Sequence, residues 1–156
     1  MKYLIIAAAL MASSVAVGQT AAPNNVSLLS ETFVAKTVTD AAGKKDNKLF
    51  PAERVLPSDV LVFQLSYENK GTTPATRFVI NNAVPNGVDY TGVREGWATV
   101  TVDGKTFAAL NTLKVKKADG TMRPANPQDV KAIRWSFATP IAPGAKGNVM
   151  FYAMVK

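Results

Sequence analysis

The stretch Val60-Leu61-Val62-Phe63-Gln64-Leu65-Ser66-Tyr67-Glu68 decides the fold class. Leu61, Phe63, Leu65 and Tyr67 fall on one face of an extended chain; Gln64, Ser66 and Glu68 fall on the other. A period of two marks a half-buried β-strand, because successive side chains point to opposite faces. Asn69-Lys70-Gly71 closes the stretch with residues that tolerate positive φ.

The same pattern recurs on both sides of it. Upstream, Val26 to Val38 reads as a strand, with Phe33, Ala35 and Thr37 on one face and Val34, Lys36 and Val38 on the other. Asp40 to Asn47, rich in Gly, Lys and Asp, reads as a loop. Downstream, Thr76 to Asn82 carries Phe78 and Ile80 on one face, Pro85-Asn86-Gly87 turns the chain, and Val88 to Val93 follows as a short strand. Ala98 to Phe107 reads as a hairpin about Asp103-Gly104, a pair suited to a primed turn with positive φ at both residues. A second Asp-Gly, Asp119-Gly120, follows Leu113 to Lys117, and Pro124 and Pro127 bracket a loop. Val130 to Phe137 alternates again, with Ile133, Trp135 and Phe137 inward; after the turn-rich Pro140 to Gly147, the last strand runs from Gly147 to Val155. Many short strands separated by Gly, Pro, Asn and Asp predict an all-β, immunoglobulin-like antiparallel β-sandwich.

The N-terminus predicts export. Met1-Lys2-Tyr3 gives a short positive start, and Leu4 to Val17 is apolar and Ala-rich. Ala16-Val17-Gly18 offers small residues at the positions a signal peptidase reads, so residues 1–18 read as a signal peptide cut before Gln19. Residues 19–25 read as a flexible leader and 26–156 as the sandwich domain. No Cys follows the apolar run to carry a lipoprotein anchor, and no later segment is apolar enough to cross a membrane as a helix. The expected product is extracellular, at the cell surface, or periplasmic.

Composition narrows the chemistry. The chain of 156 residues has neither Cys nor His, which removes thiol nucleophiles, disulfides, imidazole bases and the usual zinc ligands. There is no nucleophile elbow, phosphate loop or dinucleotide fingerprint, and Glu53, Glu68 and Glu95 read as single, solvated surface carboxylates. The expectation is a non-enzymatic protein without a cofactor. A calcium site between Asp40 and Asp46 is weakened by Lys44 and Lys45 in the same loop. The net charge of +7 and the clusters at Lys114, Lys116, Lys117 and at Lys44, Lys45, Lys48 read first as solvated strand edges that discourage aggregation, with an anionic polymer or lipid head groups as the functional alternative. No aromatics interleave these clusters, so no specific nucleic-acid reader is expected.

From Leu56 to Tyr90 one register is kept: Pro57-Ser58-Asp59, then Phe63, Leu65, Tyr67, then Asn69-Lys70-Gly71, Ala75, Asn82, and Val84-Pro85-Asn86-Gly87-Val88 before Tyr90. This resembles the bacterial and archaeal surface repeat domains catalogued as domain of unknown function eleven. Asp129 to Trp135 and Pro143-Gly144 fit the same pattern more loosely. The resemblance implies an immunoglobulin-like sandwich in a surface, adhesive or filament-forming protein, with no shared catalytic residues to carry over. Two departures stand out: Ser58 replaces the family's usual Gly, and Asn82 replaces its usual Asp. By chemistry Pro57, Asp59, Phe63, Leu65, Tyr67, Asn69, Gly71, Ala75, Pro85, Gly87, Tyr90 and Trp135 all read as structural.

Two segments invite assembly. The last strand, Val149 to Val155, is apolar on both faces, which suits either a doubly buried central strand or one whose outer face meets another subunit. The N-terminal strand, behind its leader, can pair with its own sheet or be donated to a neighbour. Phe33, Val34, Val38, Met150, Tyr152 and Met154 are therefore the candidate assembly residues, with self-association or other envelope and surface proteins as expected partners. The leading expectation is an extracellular structural or adhesive domain; the second is a periplasmic accessory module for an anionic ligand.

Overall fold

A computed structural model of the chain describes residues 25–156. The expected signal peptide, and the leader up to residue 24, lie outside the described residues. The rest is all-β: β1 (Val26–Thr39), β2 (Lys45–Pro51), β3 (Val60–Asn69), β4 (Val79–Ala83), β5 (Val88–Val93), β6 (Thr99–Thr101), β7 (Lys114–Lys116), β8 (Met122–Pro124), β9 (Ala132–Ser136) and β10 (Lys146–Val155). Every strand pair is antiparallel. They form a five-stranded sheet in the order β2-β1-β3-β10-β5, a three-stranded sheet β4-β9-β6, and the ribbon β7-β8.

The alternation read in the sequence sorts the side chains between the layers. Leu61, Phe63 and Leu65 of β3 sit beside Ala153, Phe151 and Val149 of β10, and all six are buried. Phe63 stacks on Phe151 at 4.5 Å between centroids, nearly parallel. From the smaller sheet, Ile80, Val100, Ile133 and Trp135 close on this row as one core. Trp135, fully buried, meets Phe151 at 6.4 Å. Tyr90 is also buried, and burial pushes its phenol pKa up. Tyr67 and Phe137 are only half-buried; their rings pack edge to face at 5.0 Å at the rim of the core.

Several local expectations are corrected. The Asp40–Asn47 loop is shorter, because Lys45, Asp46 and Asn47 already belong to β2 and pair with Thr39, Val38 and Thr37. The strand expected from Thr76 begins at Val79, after Arg77 takes φ +52°. Met122–Pro124, which alternation assigned to no strand, is β8, and it takes in Pro124 at the start of the expected loop. Asp103-Gly104 is not a primed two-residue turn, since only Gly104 has positive φ. Val100 pairs instead with Ala108, and the wider loop between them is held by the Asp103 carboxylate, which accepts from the N–H groups of Lys105 and Thr106.

Neither Asn69 nor Gly71 uses positive φ. Asn69, buried at the end of β3, works through its side chain. Its Nδ2 donates to the carbonyls of Thr73 and Ile141, and its Oδ1 accepts from the Gly71 N–H. One amide thereby ties together the two loops that flank Ala75 and Ile141, which bond each other reciprocally. Gly71 matters for closeness: a Cβ there would lie 3.1 Å from Asn69 Oδ1.

Pro57-Ser58-Asp59 forms a turn that docks on the end of β10. Ser58 N–H donates to the Val155 carbonyl, Val155 N–H to the Asp59 carbonyl, and the Asp59 carboxylate accepts from Leu56 N–H at 2.8 Å. Ser58 sits at φ +71°, where a Cβ is strained. Pro85 precedes the corner at Gly87, whose φ of +86° only glycine adopts freely. Ser58→Gly is therefore expected to stabilise the fold by about 1 kcal/mol. A higher urea midpoint at unchanged slope checks it; an unchanged midpoint would show that Ser58 carries no strain.

Candidate interaction surface

The sandwich is unequal, with five strands facing three. The outer face of the larger sheet is consequently built without a covering layer among the described residues. Alternation from the core residues Val34, Leu61 and Ala153 assigns Phe33, Ala35, Val60, Val62, Met150, Tyr152 and Met154 to that outer face. Phe33, Val62 and Tyr152 stand directly opposite one another across β1, β3 and β10. Val62 is only 3% exposed although no sheet covers it. Its burial comes from these lateral neighbours, while Val60 and Met154 at 40% and Leu49 of β2 at 47% remain open. Tyr152 also leans over Gly92 of β5, where a Cβ would meet its ring at 3.9 Å.

The structure thus brings Phe33, Met150, Tyr152 and Met154 to one surface. Val34 and Val38 point to the opposite face, Val34 into the core at 1% exposure. β10 is neither doubly buried nor an edge: it is central, paired on both sides, with one face in the core and one half-open. β1 pairs within its own chain, with β3 on one side and β2 on the other.

Beyond this band the outer face turns polar. Leu29, Ser66, Glu68, Lys70, Lys146 and Asn148 surround a shallow concavity of about 650 Å³, crossed by the Lys146–Glu68 ion pair at 3.1 Å. A second cleft, of about 520 Å³, lies at the rim of the core between Tyr67, Phe137 and Trp97. Trp97 is half exposed and meets Phe137 edge-on at 5.2 Å. Its exposure has no signature in the local sequence, where a Trp reads equally well as core.

The carboxylates singled out in the sequence are mostly committed to their own turns. Asp40 Oδ1 accepts from the N–H groups of Ala42 and Lys44. Asp119 accepts from the N–H and hydroxyl of Thr121, which holds its pKa below the usual carboxylate range. Asp103 is lowered further, first by the Lys105 and Thr106 N–H groups and then by the Thr101 hydroxyl. Asp129 is lowered by the forked Arg123 guanidinium at 2.6 Å, which outweighs the opposing effect of burial.

Glu95 corrects the expectation of a solvated surface carboxylate. Its side chain is 10% exposed, and Oε2 accepts from the Trp135 indole N–H at 3.0 Å and the Met150 N–H at 3.2 Å. Arg94 pairs with Glu95 at 2.7 Å and donates to the Asn148 carbonyl. These two side chains continue the work of β5 past its end at Val93, satisfying the backbone of β10 where no strand follows. The relevant contacts span 40 and 55 residues, so no local pattern announces them.

The basic clusters fall on two separate ribbons. Lys114 and Lys116 are exposed on β7, facing Pro124 and Met122 of β8. Lys48 of β2 stands directly opposite Lys36 of β1. The nearby concavity, about 200 Å³, is lined by Asp40 and Asp46 as well as Lys44 and Lys48, so its charge is mixed.

No protein-family model, curated protein or solved structure matches this chain.

Two outcomes follow from these assignments. Met154→Lys is expected to change stability by less than about 0.5 kcal/mol, whereas Val62→Lys, buried between Phe33 and Tyr152, should cost about 3 kcal/mol or more. Equal effects in urea unfolding would contradict the exposed outer face. The depressed carboxylates contribute stability that is complete above their unfolded pKa, 3.8 for Asp, and lost as pH falls through the lower folded values. Asp103→Asn should therefore lose less thermal stability between pH 4 and pH 2 than the natural chain, as melting across that range would reveal.

Proposed function

We propose that this chain is an exported, non-enzymatic structural or adhesive domain of immunoglobulin-like type. It would act outside the cytoplasm by associating with other envelope or surface proteins, including copies of itself. The observation that carries the reading is the apolar outer band of Phe33, Val60, Val62, Tyr152 and Met154, central to the large sheet and without a covering layer among the described residues. Contiguous exposed apolar surface on a sheet is characteristic of interaction sites. The positive, then apolar, then small-residue order of residues 1–18 supports export. Two antiparallel layers packed around a buried Trp support the immunoglobulin-like likeness.

A second reading draws on Lys36 facing Lys48. Like charges directly opposite destabilise a strand pair, and a bound anion would relieve the cost. On that reading the domain is a periplasmic accessory module for an anionic polymer or lipid head group.

One experiment separates the two. Fractionation of the native cell expressing a tagged full chain, with surface imaging, should place the tag at the surface or in surface fibres. A soluble periplasmic pool would favour the second reading. Retention in the cytoplasm with residues 1–18 uncut would defeat both.

A further inference from the structure

Half of the longest strand lacks a partner on one side. β2 pairs with β1 only from Phe33 to Thr39, and among the described residues no strand pairs with Val26 to Glu31 on that side. The direction of the free groups is fixed by two bonds. The Thr32 carbonyl accepts from Ala52 N–H on the β2 side, and the Asn25 carbonyl accepts from Lys70 N–H on the β3 side. Backbone groups alternate between the two edges of a strand. The N–H and C=O groups of Val26, Leu28 and Ser30 therefore point out of the open edge.

Such an edge is a template for another strand, and proteins usually blunt it with Lys or Pro. Elsewhere this chain does so: β2 carries Lys45 and Lys48, and β7 carries Lys114 and Lys116. Val26-Ser27-Leu28-Leu29-Ser30-Glu31-Thr32 carries neither residue. Leu28, on the inner face but beyond the reach of the smaller sheet, is 49% exposed.

We propose that a second copy of this chain pairs antiparallel with this edge, about a two-fold axis through Leu28, to make one continuous sheet. The proposal deepens the assembly reading above and rests on it, but its test does not involve export. With the axis at Leu28, Leu28 faces Leu28 and Val26 faces Ser30, so all three outward N–H and all three outward C=O groups of each copy are used. On the other face Ser27 stands opposite Leu29 and Glu31 opposite Asn25, so no like charges meet. The two Leu28 side chains lie on the same face and cover each other. An axis at Leu29 would require the Thr32 carbonyl, which Ala52 already occupies. A two-fold interface is closed, so the product is a dimer and not a fibre.

The chain contains no Cys, so a single introduced thiol reports its own pairing. In the proposed register two residues at position 28 have Cα atoms about 5.5 Å apart, within disulfide reach. Two residues at position 29 lie diagonally, more than about 7 Å apart. The full chain, expressed and purified as Leu28→Cys and as Leu29→Cys, is oxidised mildly at matched concentration. A covalent dimer from Leu28→Cys and little from Leu29→Cys is expected. In parallel, sedimentation velocity of the natural chain should show a reversible dimer, weakened about tenfold or more in Leu28→Lys by the two opposed ammonium groups. A monomer at all concentrations, preferential cross-linking through position 29, or open fibres in place of dimers would each overturn the proposal. None of these results bears on where the cell sends the protein.

Discussion

The fold hinges on Trp135. Its indole is fully buried between the sheets, and its N–H cannot be left without a partner there. Glu95 supplies the acceptor, and the same oxygen takes the Met150 N–H of β10. One carboxylate thereby joins β9 of the small sheet to β10 of the large one, at the point where β5 has run out. Arg94 completes the arrangement by balancing the charge of Glu95 and bonding the Asn148 carbonyl. A largely buried carboxylate is costly alone; here it holds a charge partner and two donors, so it ties the two layers together.

The unequal size of those layers follows from what the small sheet can cover. Its three strands supply Ile80, Val100, Ile133 and Trp135, which lie over β3, β10 and the nearer part of β1 and β5. They do not reach the far strand: every residue of β2 is exposed, Phe50 at 41% even though it sits beside the buried Val34. The core is therefore centred on the Phe63–Phe151 stack, and the sheet extends beyond it as a β1–β2 ribbon. This ribbon is held by backbone bonds and by cross-strand contacts such as Thr37 with Asn47, not by burial.

Most of the central strands were legible because burial on one face writes a period of two into the sequence. β3, β5, β9 and β10 fall close to where alternation places them, and Leu65, Ile133 and Trp135, read as inward, are in the core. β2 was not legible for the same reason in reverse: Lys45-Asp46-Asn47-Lys48-Leu49-Phe50-Pro51 buries neither face, so no alternation is selected. Turn chemistry was legible in kind but not in geometry. Asp-Gly marks a reversal at Asp103-Gly104, yet the carboxylate, and not a pair of positive φ angles, shapes it. Glu95 escaped because Trp135 and Met150 lie 40 and 55 residues away, as did the bond from Asn69 to Ile141, 72 residues away, and a one-dimensional pattern carries no record of such contacts. Of the candidate surface, the residue types of β1 and β10 and the split of β1 into Phe33 and Val34 faces were readable, while which face meets the core required the register that only pairing supplies.

The distribution of lysine adds a last physical step. Lys36 and Lys48 are opposed across β1 and β2, an arrangement that costs stability in a ribbon already short of burial. A cost of this kind persists where the charges prevent something worse, and an exposed two-stranded ribbon with Leu49 and Phe50 on it is a site of sheet-to-sheet aggregation. The ammonium groups of β2 and β7 keep those ribbons from pairing indiscriminately. Against that background the uncharged outer band around Val62 and the edge of β1 over residues 26–32 both lack Lys and Pro. On the assembly proposed above, specificity would come from contrast: charge keeps strands from the β2 and β7 ribbons, while the apolar band and the open edge of β1 are free of Lys.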